Sequence, residues 1–296
     1  MPLFEVKNLY FKYNKYDDKA PYTISDVSFS IERNDFIALI GKSGSGKSTI
    51  INHLNGLLKC DKGDILYQGK SIYDKDFKLT ELRFKCGVVF QYPEYQLFSE
   101  TVIEDVAFGA IKKGLSKEEA YEKSLSALKY LNIENLKDEV PFNLSGGEKR
   151  KVAFAGIFVM DPDIFIFDEP DAGLDSIAKD HLYKMLYDLN KNQKKTIVFI
   201  THNLDDVIEY ANKVIVINDG SIKKVGRPVE VLSDKKLMDE CNLVTPYAID
   251  IYNYLCENGK NIDNTSLNYE NIINELDKVL LWLKISHLDN IIKKIV

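Results

Sequence analysis

Apolar residues follow two patterns along this chain, and each pattern predicts a different kind of strand. Between residues 3 and 40 apolar and polar residues mostly alternate, which predicts antiparallel strands exposed on one face. Continuous apolar runs instead predict strands buried on both faces. Such runs occupy residues 36–40, 87–90, 164–167 and 196–200. We therefore predict a small antiparallel sheet beside a parallel sheet.

Helical periodicity separates the continuous runs. Its clearest segments are residues 116–131 and 147–160. Strands that alternate with helices predict a parallel sheet covered by helices. We interpret residues 92–158 as a helical subdomain inserted into this α/β core. Turn residues at 218–220 predict a hairpin, and apolar residues between 279 and 295 recur at the spacing of an amphipathic helix.

A glycine-rich motif of the form GxxxxGKS follows the apolar run 36–40 directly. Its residues are Gly41, Lys42, Ser43, Gly44, Ser45, Gly46, Lys47, Ser48 and Thr49. The glycines permit close approach of backbone N–H groups, and the helical spacing after them places a helix N-terminus at the same point. The motif predicts a site for ATP phosphates in which Lys47 reaches the β- and γ-phosphates and Ser48 ligates Mg²⁺.

Two adjacent carboxylates, Asp168 and Glu169, follow the apolar run 164–167. The carboxyl end of a parallel strand is where such a sheet presents groups to its ligand. We expect Asp168 to hold the Mg²⁺ shell and Glu169 to polarise the attacking water, because phosphoryl transfer depends on positioning and charge neutralisation. An Asp-Glu pair also occurs in plain solvated turns, and it is the phosphate loop in the same chain that favours catalysis.

A second candidate anion site lies before the helical segment 147–160. Its residues are Leu144, Ser145, Gly146, Gly147 and Glu148. Ser145 and the glycine N–H groups begin a helix, a position that attracts anions. With this LSGG motif the sequence resembles the ATPase subunits of ATP-binding cassette (ABC) transporters over residues 1 to about 235. In that family the motif closes over ATP held by the opposite subunit of a dimer.

The resemblance implies roles for four further residues. Tyr13 matches the aromatic residue that stacks on adenine, and Gln91 the glutamine that joins Mg²⁺ to the transporter contact. Asp175 matches the loop that links the two sites of the dimer. His202 matches the switch histidine that holds the γ-phosphate and the catalytic water. The implied cofactors are ATP and Mg²⁺, with Lys47, Glu169 and His202 as catalytic residues and Ser48, Gln91 and Asp168 as metal ligands.

The chain departs from the family pattern at two positions. Glu148 stands where glutamine is most frequent, and Asp171 where threonine is usual. Neither change removes a catalytic group. Glu148 retains an acceptor for a ribose hydroxyl, although its extra charge near nucleotide is expected to weaken closure of the dimer.

Residues 89–98 and 101–109 narrow the resemblance to the energy-coupling-factor ATPases, and residues 93–98 are most similar to the second of two paired ATPases. In that group this stretch forms a short helix against the coupling helices of a membrane subunit. We hypothesise that Glu94 and Glu104 present an acidic groove to basic residues of that partner.

Composition excludes several classes of function. The chain has 296 residues, 45% of them apolar, and a net charge of −6, which argues against broad nucleic-acid binding. Its four cysteines show neither zinc spacing nor a disulfide framework, which favours a reducing compartment. The N-terminal residues do not show the pattern of a signal sequence and no apolar run reaches membrane-spanning length, so we expect neither secretion nor a membrane span. We expect a peripheral protein on the cytoplasmic face of the cell membrane, attached through protein partners.

These inferences predict an α/β P-loop NTPase of the ABC type, with the ATPase domain at residues 1–235 and a mostly helical extension at 236–296. The resemblance implies ATP-driven uptake of vitamins or similar micronutrients. The implied partners are a second ATPase subunit, preferably a different chain, a transmembrane coupling subunit and a substrate-binding membrane subunit. The alternatives are a homodimeric ATPase of a cobalt or nickel importer, a soluble ABC protein acting on nucleic acid, and a regulatory cassette without hydrolysis. For the terminal helix we favour packing on its own domain over dimer contact or membrane binding.

Overall fold

Two β-sheets organise the computed structural model, which describes residues 1–17, 19–257, 269–271, 273–274 and 276–278. The strands are β1 (Phe4–Phe11), β2 (Ile24–Ile31), β3 (Phe36–Ile40), β4 (Lys62–Tyr67), β5 (Lys70–Ser71), β6 (Cys86–Val89), β7 (Ile164–Asp168), β8 (Thr196–Ile200), β9 (Lys213–Asn218) and β10 (Ser221–Gly226). The helices are α1 (Lys47–Leu54), α2 (Leu79–Lys85), α3 (Val102–Lys112), α4 (Lys117–Tyr130), α5 (Gly146–Phe158), α6 (Ser176–Lys191), α7 (Leu204–Tyr210), α8 (Pro228–Leu232), α9 (Lys235–Glu240) and α10 (Tyr247–Glu257).

The six-stranded sheet carries the order β10-β9-β3-β8-β7-β6. All neighbouring strands from β9 to β6 run parallel, and β10 pairs antiparallel with β9 through the predicted turn at 218–220. Parallel strands end at one edge of a sheet. The segments that follow β3, β8, β7 and β6 therefore lie along a common edge.

Side chains alternate between the two faces of this sheet and divide the core in two. In β3, Phe36 and Ala38 face one cluster, whereas Ile37 and Leu39 face the other. The second cluster also holds the buried residues of the four-stranded antiparallel sheet, whose order is β2-β1-β4-β5. The predicted antiparallel sheet beside a parallel sheet is thus confirmed, and α1 packs between the two.

The helices α3, α4 and α5 occupy the chain between β6 and β7, where the sequence predicted a helical subdomain. Helix α4 begins with a capping box, because the Ser116 hydroxyl accepts from the Glu119 N–H and the Glu119 carboxylate accepts from the Ser116 N–H. The predicted segments 116–131 and 147–160 match α4 and α5. Helix α3 lies inside the predicted helical subdomain but outside these two segments.

The C-terminal part of the described chain docks on α7. The Tyr269 hydroxyl donates a hydrogen bond to Asp205, and its backbone N–H donates to Glu209 at 3.3 Å. Residues 279–295, which carry the predicted amphipathic helix, lie outside the described residues. Within the part of the chain that the structure describes, no helix is both long and apolar enough to span a membrane.

A histidine in α1 joins the phosphate-loop helix to β1. His53 is fully buried, its ring meets Phe11 edge-on, and its Nδ1–H donates to the Thr49 carbonyl at 2.7 Å. Its Nε2 has no hydrogen-bond partner among the described residues. Burial lowers the pKa of His53, although the bond to Thr49 and the charge of Asp61 oppose that shift.

We expect His53 to make stability depend on pH. The native state disfavours the imidazolium, because a second buried N–H would have no acceptor, whereas the unfolded chain takes up the proton at an ordinary pKa of about 6.5. The contribution of His53 to the free energy of unfolding is therefore fully present above pH about 7, and it is lost as the pH drops below that pKa. Thermal unfolding of the wild type and of His53→Gln between pH about 7.5 and 5.5 measures the effect.

At neutral pH the variant should unfold at a lower temperature than the wild type. Its free energy of unfolding should be lower by about 1–2 kcal/mol. Its midpoint should also change less with pH than that of the wild type. Parallel pH profiles for the two proteins would contradict this role of His53.

Candidate active site

The predicted phosphate loop joins β3 to α1. Gly46 occupies the N-cap of α1 in a left-handed conformation, the cap lacks a side-chain hydrogen bond, and the first turn holds no acidic residue. The N–H groups and the positive end of the helix dipole are therefore available to an anion. Lys47 is buried, and its Nζ donates to the carbonyls of Gly41 and Lys42 at 2.8 and 2.9 Å.

The turn between β9 and β10 packs against the phosphate loop and bonds to it. The Gly220 N–H donates to the Ser45 carbonyl at 3.1 Å, and the Lys42 ammonium lies 2.7 Å from the Asp219 carboxylate. A Cβ on Gly41, whose φ is +152°, would lie 2.0 Å from the Ile217 carbonyl oxygen. The loop thus approaches β9 more closely than any residue other than glycine permits.

Glu169 lies at the centre of the site, directly after β7. Its Oε2 accepts a hydrogen bond from Gln91 Nε2 at 3.1 Å, and its Oε1 accepts from His202 Nε2 at 2.9 Å. Gln91 follows β6 and His202 follows β8, so the two strands that flank β7 deliver the two partners. Glu169 has a φ of +50°, a strained conformation that surrounding contacts must maintain. A cavity of about 480 Å³ opens between Glu169, Asp171 and His202.

Charge is concentrated at the same edge. Burial raises the pKa of Asp168, as does the charge of Glu169, whereas the Ser48 hydroxyl and Lys47 oppose the shift. Burial lowers the pKa of Lys47, although Glu169 and Asp168 oppose that change. The structure therefore brings together the predicted lysine, hydroxyl and carboxylates of the phosphate site.

The LSGG motif begins α5, and its hydrogen bonds run within that helix. Glu148 forms a capping box with Ser145, accepting from the Ser145 backbone N–H at 2.9 Å and from its hydroxyl at 2.6 Å. These bonds lower the pKa of the Glu148 carboxyl. Among the described residues, no hydrogen bond or ion pair joins Ser145, Gly146 or Gly147 to the phosphate loop. Both glycines face open space.

Tyr13 lies beside the phosphate-loop helix. Its side chain is 60% exposed, and its hydroxyl shares a hydrogen bond of 3.1 Å with the Thr49 hydroxyl. Its ring meets Phe11 edge-on at 4.9 Å. The exposed ring is thus held next to α1, where a planar group is free to stack on it.

The departure at Asp171 has a structural counterpart in Lys179. The Lys179 ammonium lies 3.3 Å from the Asp171 carboxylate and 2.7 Å from that of Asp206 in α7. Burial lowers the pKa of Lys179, but the two carboxylates outweigh that effect and raise it overall. Nearby, Asp175 caps α6 by accepting from the Ala178 N–H at 2.8 Å. The acidic residue at 171 is therefore paired with a cation, Lys179, on the helix that follows its loop.

The hypothesis that Glu94 presents an acidic surface is wrong in this structure. Glu94 is 14% exposed and pairs with Arg150 of α5, with 3.3 Å between Glu94 Oε1 and Arg150 Nη2. The burial of the pair explains the difference, because a buried guanidinium requires a carboxylate. Glu104 lies in the first turn of α3 and is partly exposed.

Three contributors to the site had no assigned role in the sequence analysis. Arg150 and Lys179 have partners on other elements, and Asp219 was predicted as part of a turn without its contact to Lys42. The capping role of Glu148 was visible in the sequence, because Ser-x-x-Glu before a helix is the pattern of a capping box.

Two glycines of the phosphate loop offer a matched test of its packing. Gly41→Ala should cost at least about 3 kcal/mol and abolish nucleotide binding, because the new methyl group overlaps the backbone of β9. Gly44, with a φ of +75°, has open space at its Cβ position. Gly44→Ala should therefore cost only about 1–2 kcal/mol of strain. Thermal unfolding and binding of a fluorescent ATP analogue measure both variants, and equal losses would contradict the packing described here.

Comparisons with known proteins agree with this geometry. The profile of the ABC transporter family matches residues 24–172. The energy-coupling factor transporter ATP-binding protein EcfA2 of Clostridioides difficile (strain 630) is 42% identical over 278 residues, which are 93% of this chain and 96% of that protein. The EcfA protein of Methanocaldococcus jannaschii is 43% identical over 86% of this chain and 90% of its own length.

Solved structures show the same fold. The CbiO1 protein of Clostridium perfringens, described as part of the ABC transporter complex CbiONQ, aligns with a TM-score of 0.70 and 35% identity over 85% of this chain and 99% of its own. The cassette MJ0796, solved as a dimer bound to ADP and Pi, aligns with a TM-score of 0.68 and 30% identity over 76% of this chain and 98% of its own. The chain therefore belongs to the ABC transporter family of ATPases, among the energy-coupling factor transporter ATP-binding proteins.

Proposed function

We propose that this chain binds ATP with Mg²⁺, hydrolyses it at composite sites in a dimer, and thereby drives membrane partners that take up vitamins or similar micronutrients. The observation that carries the proposal is the position of Glu169, held between Gln91 and His202 at the edge where β3 delivers the phosphate loop. That placement suits a carboxylate that orients a water molecule toward a bound γ-phosphate.

ATP binding is assigned to the phosphate loop, Tyr13 and Gln91. The backbone N–H groups at residues 41–49 and the free start of α1 are the donors for phosphate oxygens. Lys47 exchanges its two carbonyl partners for the β- and γ-phosphates when nucleotide enters. Tyr13 stacks on adenine, since its ring is exposed beside α1.

The residues at the edge fit Mg²⁺. Ser48 contributes a hydroxyl, Asp168 a carboxylate whose pKa the Ser48 hydroxyl lowers, and Gln91 an amide, so the donor set consists of hard oxygen ligands. When bound, the ion supplies neutralisation of phosphate charge. Asp168 lies at the end of a buried strand. Gln91 directly precedes residues 92–98, so it connects the ligand set to that segment.

Glu169 accepts the proton of the attacking water. His202 holds Glu169 in place through the hydrogen bond from its Nε2 to the Glu169 Oε1. Since His202 is exposed toward the same cavity, it is also placed to contact the γ-phosphate. Lys47 balances the negative charge that accumulates on the transferred phosphoryl group. These three residues form the proposed catalytic group.

The second half of each site comes from a partner ATPase. Gly146 and Gly147 face open space at the start of α5 and Ser145 is exposed beside them, which suits ATP held by another subunit. Glu148 is already engaged with Ser145, so its charge acts on the motif before any ribose contact. Asp175 caps α6 on an exposed surface, where it links the two sites across the dimer.

The partners follow from the relatives. Those relatives are named as subunits of energy-coupling factor transporters, and CbiO1 as part of a CbiONQ complex. We infer a peripheral position on the cytoplasmic face, a transmembrane coupling subunit and a substrate-binding membrane subunit. We also assign ATPase function to residues 1–235 and treat 236–296 as an extension, and a heterodimer with a second ATPase is favoured over a homodimer.

Glu169→Gln tests the assignment of the base. The variant should bind ATP as the wild type does, lose turnover by a factor of about 10²–10⁴, and accumulate as an ATP-bound dimer. Phosphate release and size-exclusion chromatography measure these effects. Glu118→Gln, which changes an exposed glutamate in α4, is the control and should hydrolyse ATP at the normal rate. A Glu169→Gln protein that turns over like this control would refute the assignment.

Copurification from the native host tests the partners. The proposal predicts two ATPase species together with membrane proteins. The alternative that the family resemblance leaves open is a cobalt or nickel importer with a homodimeric ATPase. That alternative predicts a single ATPase species, and recovery without any membrane protein would contradict both.

A further inference from the structure

Arg150 of α5 connects three segments that surround the candidate active site. Its Nε and Nη2 donate to the two carboxylate oxygens of Glu94 at 3.4 and 3.3 Å. Its Nη1 donates to the carbonyl of Ala172 at 2.9 Å and more weakly to that of Pro170 at 3.5 Å. The residue is 7% exposed, so these contacts take the place of water.

The arrangement depends on the shape of the guanidinium group. Its planar fork offers five N–H donors in fixed directions, which allows one side chain to hold a carboxylate on one edge and backbone carbonyls on another. A lysine ammonium concentrates its charge at one point and does not reproduce this geometry. A buried charge that loses one partner is strongly unfavourable, so the segments are held together as a unit.

The segments joined by Arg150 are also joined at the site itself. Glu94 follows Gln91 by three residues, and Pro170 follows Glu169 directly, while Gln91 donates to Glu169. Each segment is therefore pinned at two points, once through Gln91 and Glu169 and once through Arg150. Tyr92, between Gln91 and Glu94, is left-handed with a φ of +55°, and Glu169, at the fixed end of the other segment, is left-handed with a φ of +50°. Such conformations persist only when surrounding contacts maintain them.

The segment after Gln91 turns its acidic residue inward and its aromatic residues outward. Glu94 faces Arg150, whereas Tyr95 and Phe98 are 84% and 58% exposed. A partner that displaces these aromatic residues therefore displaces Glu94 as well. Because Glu94 is bonded to Arg150, the displacement reaches the carbonyls at 170 and 172.

We propose that Arg150 is a positioning residue for Glu169, and that its bond to Glu94 transmits movement of residues 92–98 to the turn that follows Glu169. The proposal rests on the proposed function only for the identity of the partner that moves residues 92–98. Its effect on hydrolysis concerns the ATPase dimer and does not depend on a membrane partner.

The first experiment measures ATP hydrolysis by the full-length protein together with the ATPase subunit that copurifies with it, without membrane proteins. Arg150→Lys should lower kcat about tenfold, because Glu169 loses its support, and should leave KM for ATP within about twofold, because Arg150 does not belong to the ATP site. Lys151→Met removes an exposed cation from the next position of α5 and should have no effect. A normal kcat in Arg150→Lys, or a loss that lies in KM, would overturn the proposal.

The second experiment keeps the test valid if Arg150→Lys does not fold. The Ala172 N–H donates to the Glu169 carbonyl at 3.2 Å, so its hydrogen exchange reports the turn directly. Glu94→Gln weakens the anchor of Arg150 without touching that turn, and exchange at Ala172 should rise at least about threefold. Unchanged exchange at Ala172 would show that the two segments are not linked.

The third experiment uses the complex with the membrane partners that copurify with the chain. The readout is the ratio of stimulated to basal hydrolysis within each protein, which is independent of a change in basal rate, and Glu94→Gln should lose most of the stimulation that substrate and partners produce. Full stimulation in this variant would overturn the transmitting role of Glu94. Failure of the proposed function is a separate outcome, seen when the wild-type complex shows no stimulation or when Glu169→Gln hydrolyses ATP normally.

Discussion

Parallel alignment of β3, β8, β7 and β6 is the constraint on which the candidate site depends. These strands are neighbours in that order and end at one edge of the sheet. Each strand is followed by a residue or loop with a distinct chemical group, so pairing of the strands brings the groups within reach of one another, and the bonds from Gln91 and His202 to Glu169 then join the loops. The buried runs that form the strands thus determine where Lys47, Glu169, Gln91 and His202 meet.

Within this edge, opposite charges share a poorly solvated space. Lys47 lies near Asp168 and Glu169, and burial acts on the pKa of Lys47 and Asp168 in opposite directions. The Lys47 ammonium is bonded to loop carbonyls, which are neutral partners that we expect charged phosphate oxygens to replace. The site is therefore organised before ligand binds, and the same interactions that stabilise the loop hold its cation ready for ATP.

The parts that sequence predicted are those in which chemistry and local pattern coincide. The phosphate loop, the carboxylates after β7 and the start of α5 each combine an element boundary with a characteristic residue set, and the strands were visible as continuous apolar runs. The bond between Glu94 and Arg150 spans 56 positions, and no local periodicity encodes it. Its formation depends on how α5 packs against the segment after β6.

The partners of two acidic residues, Glu94 and Asp171, could not be predicted from the sequence. The place of Glu94 just after Gln91 favours an exposed acidic groove, yet its neighbour in space is a buried arginine. For Asp171 the sequence showed only a departure from a family pattern, whereas packing of α6 against α7 supplies Lys179 as its partner. In both cases the charge was visible in the sequence and its counter-charge was determined by tertiary structure.

A structure of Glu169→Gln with ATP and Mg²⁺ tests the central claim most directly. The account predicts that Lys47 Nζ leaves the carbonyls of Gly41 and Lys42 and binds the β- and γ-phosphates, with His202 within hydrogen-bonding distance of the γ-phosphate. It also predicts the LSGG motif of a second subunit on the opposite side of the same nucleotide. Nucleotide bound elsewhere, or bound while Lys47 remains on the loop carbonyls, would contradict the account.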